Sequence, residues 1–165
     1  MKEINIRDLK ENVLKMISDD WALLTAGNES GFNTMTVSWG GIGELWGKDV
    51  AFIFVRPQRY TKEFIDREKM MTLSFFSGEY KKELGFCGKK SGRDCDKMKE
   101  TGFTPVFSDG TTYIKEASHV LILKTLAVTD ITPDSFLDKT IDESCYPNKD
   151  YHKVYIAEIV KTLEK

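Results

Sequence analysis

Long apolar runs, prolines, histidines and cysteines are all scarce in this chain of 165 residues, and each shortage excludes something. No apolar run approaches the roughly 18 to 20 residues needed to cross a bilayer, and the first residues, MKEINIRDLKENVLK, carry charges where a signal peptide has its apolar stretch. The expectation is a soluble, cytoplasmic protein with no membrane partner. Three cysteines, Cys87, Cys95 and Cys145, are too few and too odd in number for a disulfide framework. With only His119 and His152 beside them, no pair has the CxxC or HxxxH spacing of a zinc site, so no metal is expected. The four prolines are scattered and no linker or repeat interrupts the chain, so residues 1–165 are expected to form one domain. Neither sign of charge dominates: 24 Lys and Arg stand against 26 Asp and Glu, which excludes a general electrostatic attraction for nucleic acid.

What is present is apolar and β-rich. A hydrophobic content of 41%, with 12% aromatics, supplies a core. WALLTA (21–26) runs into the turn residues GNESG, and NTMTVSW (33–39) then alternates strictly, a β-hairpin signal. VAFIFV (50–55) reads as a buried strand, MTLSFF (71–76) as another, and TPVF, TTYI, HVLILKTLAV and VYIAEIV follow in the final third. Helical spacing occurs at 8–17, at 61–68 with Thr61 as its cap, and in two pieces over 79–101 that Gly102 stops. In the second piece Ser91 and Asp94 have the spacing of a capping box, and ITPDSFL (131–137) reads as one helical turn starting at Pro133, followed by irregular loop up to Tyr151. About seven strands, short turns and two helical excursions favour an antiparallel barrel over a parallel sheet, and no dinucleotide-type strand–helix alternation is present.

Three groupings could carry chemistry. In RPQRYT, Arg56 and Arg59 precede Thr61 at a helix amino terminus, where free N–H groups and the helix dipole favour a phosphomonoester; the alternative pairs both arginines with Glu63 or Asp66 as solvated loop charges. On strand 33–39, Thr34, Thr36 and Ser38 share one face and Asn33, Met35, Val37 and Trp39 the other. The hydroxyls either face solvent or, beside VAFIFV, line a polyol phosphate, with Trp39, Trp46, Phe75 and Phe76 as planar walls or as core packing. His152, in the polar stretch KDYHK, can donate a hydrogen bond or stack on a ring, or it is a plain loop histidine; His119 opens a core strand.

Taken in order, DDWALLTAG, NTMTVSWGG, VAFIFVRPQRYT, TLSFF, FCGKKSGRDCDK and DYHKVYIAEIV resemble the flavin reductase family, whose members share the FMN-binding split β-barrel. The resemblance implies a six-stranded antiparallel Greek-key barrel, mainly β with helical insertions, and a homodimer with one FMN per subunit near the interface. It implies that Asn33 to Trp39, including Thr34, Met35, Thr36, Val37 and Ser38, follow the ribityl chain and ring, with N–H groups near Trp39 to Gly41 on the ring. It further implies that Arg56, Arg59, Tyr60 and Thr61 take the phosphate, that Phe75, Phe76 and Ser77 approach the ring, and that His152 sits near the nicotinamide of NADH or NADPH. Cys87, Ser91 and Arg93, on the insertion, are expected to reach the site. The implied activity is an NAD(P)H-dependent flavin reductase; the alternatives are a flavoredoxin-like carrier reduced by a redox partner protein and a barrel that binds a phosphorylated ligand without turnover. The sequence departs from the family pattern where Tyr151 separates Asp150 from His152 and where Ala157 stands for glycine.

Overall fold

A computed structural model describes residues 1–165. The strands are β1 (Lys2–Ile4), β2 (Ala22–Asn28), β3 (Gly31–Val37), β4 (Gly40–Leu45), β5 (Lys48–Val55), β6 (Met70–Phe75), β7 (Pro105–Ser108), β8 (Thr111–Ile114), β9 (His119–Asp130) and β10 (Lys153–Glu164). The helices are α1 (Val13–Lys15), α2 (Thr61–Glu68), α3 (Lys81–Lys89), α4 (Lys97–Thr101) and α5 (Lys139–Cys145). An eight-stranded antiparallel sheet runs β3-β2-β6-β9-β10-β5-β4, with β1 on β10, and β7-β8 form a separate hairpin. The two ends of that path, β3 and β4, are consecutive in sequence and joined only by Ser38 and Trp39. The sheet is therefore bent round on itself and left open between these two edges, the arrangement of a split barrel.

The antiparallel class matches the expectation, and the strand count is higher than six. β4 is not among the strands expected from the sequence, because Gly40, Gly41 and Gly43 lower strand propensity, yet it pairs in register with β5 from Gly40↔Ile53 to Leu45↔Lys48. β3 does not lie beside VAFIFV; its partner is β2, while β5 is flanked by β4 and β10. Helical spacing over 8–17 resolves into a 3-10 turn at Ile6–Asp8, α1, and a π-helical turn at Met16–Asp20, whose Met16 and Ile17 are buried. The loop expected before Tyr151 contains α5, whose N-cap, Asp138, accepts from the Thr140 N–H.

Alternation puts Ala22, Leu24, Ala26, Ile53, Val55, Leu73 and Tyr155 inside the barrel. A second cluster, Leu23, Phe76, Leu84, Cys87, Phe103 and Ile114, fills the space between the sheet, α3 and the β7-β8 hairpin. Buried hydroxyls knit these layers: Thr25 Oγ1 meets Thr34 Oγ1 at 2.8 Å, Thr72 Oγ1 donates to the Thr112 carbonyl at 2.7 Å, and Thr112 Oγ1 to the Gly27 carbonyl at 3.0 Å. No helix is long and apolar enough to cross a membrane.

Candidate functional site

Two hollows that share Met35 and Arg59 lie along β3. The first, about 160 Å³, is lined by the end of β3 and the Ser38–Trp39 link, by Phe54 of β5, by Arg56 and by His152. The second, about 390 Å³, lies between the turn preceding α2 and the α3–α4 link; Tyr60, Thr61, Lys89, Lys90, Ser91 and Arg93 line it. One end is thus aromatic and the other cationic.

The two arginines of RPQRYT have different surroundings. Arg56 Nη1 donates to Asp150 Oδ1 at 2.5 Å and Nη2 to the Cys145 carbonyl at 2.9 Å, and its guanidinium lies 5.0 Å from the Tyr146 ring centre. Gln58 Nε2 donates to the other oxygen of Asp150 at 2.7 Å, and these two donors hold the Asp150 carboxyl below its usual range. Arg56 is therefore satisfied by the loop before β10. Arg59 donates to the Gly88 carbonyl at 2.7 Å and has no carboxylate within salt-bridge distance. Burial, and then the charge of Arg56, depress its pKa, opposed by the more distant charge of Asp150. The expected pairing of these arginines with Glu63 or Asp66 does not occur: Glu63 binds Arg93, while Asp66 binds Lys62 and Tyr155.

Five cations, Arg59, Lys89, Lys90, Arg93 and Lys97, line the second hollow against one carboxylate, Asp94. Arg93 lies 4.5 Å from the Tyr60 ring centre. Lys97 is buried, its Nζ donating to the carbonyls of Thr34 at 2.7 Å and Cys87 at 2.8 Å, so it ties α4 to β3 while adding positive potential. Thr61 is fully buried and is the first residue of α2 rather than its cap, because its hydroxyl accepts from Asn33 Nδ2 at 2.7 Å. Gly92 packs directly on this pair: a Cβ there would run into the Asn33 amide oxygen, with the Tyr60 ring 3.4 Å away. Ser91 and Asp94 do not form a capping box; they close a turn, and Asp96 caps α4 by accepting from the N–H groups of Met98 and Lys99.

At the aromatic end, His152 is 8% exposed. Its ring centre lies 5.3 Å from that of Trp39 and 6.3 Å from that of Phe54, and Nδ1 is 2.8 Å from the Tyr146 hydroxyl. Burial first, then the Arg56 charge, push its pKa down to about 4, so the imidazole is neutral at physiological pH.

The structure brings together Asn33, Met35, Thr36, Val37, Ser38, Trp39, Arg56, Arg59, Tyr60, Thr61, Ser91, Arg93 and His152. The proposed row of free hydroxyls is not formed: Thr34 is spent on Thr25, and Thr36 Oγ1 donates to the Leu84 carbonyl at 2.5 Å. Four other expected residues lie outside these hollows. Phe75 is in the barrel core, Phe76 packs against Tyr80 and Phe103, Ser77 is exposed beside Glu79, and Cys87 is buried with its thiol pushed up to about 11 by burial. Sequence reasoning missed Lys89, Lys90, Tyr146 and Phe54; the KK preceding SGR was the available signal for the first two.

No protein-family model and no curated protein sequence matches the chain. Solved structures do match. The chain is similar to an FMN-binding protein from Thermus thermophilus with bound 1-cyclohex-2-enone, at 17% identity over 99% of this chain and 80% of that one, with a TM-score of 0.68. It is similar to flavoredoxin of Desulfovibrio vulgaris (Miyazaki F), at 20% identity over 100% of this chain and 76% of that one, with a TM-score of 0.69. An FMN-binding domain of a flavin reductases-like enzyme from Shewanella baltica OS155 aligns at 14% identity over 98% of this chain and 75% of that one, with a TM-score of 0.68. The fold is the split barrel shared with these FMN-binding proteins.

Proposed function

We propose that this chain binds FMN and is an oxidoreductase that takes reducing equivalents from NADH or NADPH. The observation that carries the reading is the pair of joined hollows, one walled by Trp39, Phe54 and His152 and the other cationic, meeting at an arginine with no carboxylate partner. A flavin mononucleotide has that division, a planar ring at one end and a phosphate dianion at the other. Arg59, Lys89, Lys90 and Arg93 would hold the phosphate, and Met35 to Ser38 would lie along the ribityl chain. β3 and β4 are the two ends of the sheet path, so each leaves backbone groups outside the ladder, and those near Trp39 to Gly41 can meet the ring. When bound, FMN would supply the two-electron redox chemistry, and the protein would supply orientation and electrostatics. Trp39, about half exposed, and neutral His152 would then face the nicotinamide; no side-chain acid is needed at neutral pH.

The test is native mass spectrometry of protein purified without added flavin, followed by NAD(P)H oxidation with FMN supplied. Bound FMN in near-stoichiometric amount, with turnover, is expected. A protein that takes up no FMN and oxidises neither nucleotide overturns the reading. The likeness to a flavoredoxin favours a second reading, a carrier reduced by a partner protein. Stopped-flow mixing separates the two, since a carrier stays oxidised with NAD(P)H and is reduced by a redox partner.

A homodimer belongs to the same proposal. Phe52, Phe54, Val154 and Ile156 lie on the face of β5 and β10 opposite the core and are only partly buried, and an apolar hollow of about 350 Å³ adjoins them, walled by Trp39, Ile131, Phe136 and Ile141. A second subunit over this face would close the aromatic end of the site.

A further inference from the structure

Tyr146 is 3% exposed, and within the chain its hydroxyl has one hydrogen-bond partner, Nδ1 of His152 at 2.8 Å. A buried phenol needs an acceptor for its proton, and its O–H and an imidazole N–H cannot both use the same short contact. If Nδ1 carried the proton, it would donate to the tyrosine oxygen and leave the phenol O–H buried and unpaired. If the phenol donates to Nδ1, both atoms are satisfied. The doubly protonated ring fares worst, because it adds a cation beside Arg56 and Arg59 while stranding the same phenol proton. Asp150 opposes this only in part, since Arg56 and Gln58 already hold its two oxygens and burial and the Arg56 charge outweigh it.

We propose that Tyr146 is a positioning residue that fixes His152 as the neutral tautomer protonated on Nε2, so that the cavity wall presents an N–H donor to whatever lies against it. The occupant of that position must then offer an acceptor, and a carboxamide or ring carbonyl oxygen meets the requirement. That identity of the occupant rests on the flavin and nicotinamide reading; the tautomer does not. Tyr146 is itself held by the Phe136 and Tyr151 rings, at 5.5 Å and 5.0 Å, and by the cation of Arg56, so its hydroxyl cannot swing away without disturbing the whole loop before β10.

Long-range proton–nitrogen correlation NMR of the imidazoles, recorded on the full chain without flavin at neutral pH, tests the proposal. His152 should show an unprotonated Nδ1 and a protonated Nε2, and Tyr146→Phe, which keeps the ring packing, should move both nitrogens toward the averaged positions of a freely exchanging histidine. A protonated Nδ1 in the wild type, or unchanged shifts in Tyr146→Phe, overturns it. Should the variant not fold, the wild-type spectrum still decides. With FMN bound, added nicotinamide should shift the Nε2–H resonance; the absence of any shift, with the flavin retained, overturns the acceptor assignment alone.

Discussion

Arg56 and Arg59 lie in one short turn and have opposite electrostatic circumstances, which makes them a matched pair of tests. Arg59→Ala should weaken FMN binding by about 1.5 to 3 kcal/mol, the worth of a charge-assisted hydrogen bond, and should reduce the preference for FMN over riboflavin in a fluorescence titration. Arg56→Ala should leave that preference unreduced and instead loosen the loop bearing Asp150 and Cys145, seen as a lower thermal midpoint. His152 supplies a pH dependence with a definite sign. Its folded pKa of about 4 lies below the ordinary 6.5, so the unfolded chain binds the proton first as pH falls. The contribution of the neutral ring is fully present above pH 6.5 and is lost between 6.5 and about 4. Urea unfolding of wild type and His152→Gln across that window should show a wild-type loss with acidification that the variant lacks; parallel curves would remove His152 from the account. The sequence displayed both arginines and the histidine, but not their partners. Asp150 is 94 residues from Arg56, and no local pattern announces a contact of that separation.

At the scale of elements, the insertion α3–α4 converts an exposed turn into a walled hollow. Its link must pass close to β3, and Gly92 is where it does so. Gly92→Ala forces Asn33 or Tyr60 aside; overpacking of this kind costs typically about 1 to 3 kcal/mol, and here Asn33 is also committed to Thr61. The expected outcome is weakened FMN binding with a lowered unfolding midpoint, measured by titration and by thermal melting. The insertion was legible as two helical pieces, and Gly102, with φ 73° and its N–H bonded to the Met98 carbonyl, stops the second as expected. β4 was not legible, because its glycines have little strand propensity of their own and pair only because β5 lies alongside. The same holds for the hydroxyls of β3: alternation placed them on one face, but the presence of Thr25 and of α3 on that face decided that they would be consumed there.

For the whole molecule, the position of β3 at one end of the sheet path is the consequence that matters, since the cationic and aromatic hollows both lie along it and meet at Met35 and Arg59. The partly buried outer face of β5 and β10 predicts a homodimer in sedimentation equilibrium, and Ile156→Lys, on that face, should shift it toward monomer while the barrel stays folded. A wild type that is monomeric at all concentrations would remove the dimer from the proposal. Composition, alternation and turn residues by themselves determined an antiparallel β protein with helical insertions, without a disulfide framework or a zinc-type cysteine and histidine spacing, and with positive charge gathered near RPQRYT. These properties are local, because they depend on which residues neighbour one another along the chain. Only the tertiary structure decided that Arg59 rather than Arg56 is the uncompensated cation, that Lys89 and Lys90 join it, and that Phe75, Phe76 and Cys87 belong to cores. It alone decided that Tyr146 engages His152. For the first three the reason is that partnership and burial are set by elements distant in sequence that the bent sheet brings together; Tyr146 and His152 are six residues apart, and it is the fold of the loop before β10 that turns one onto the other.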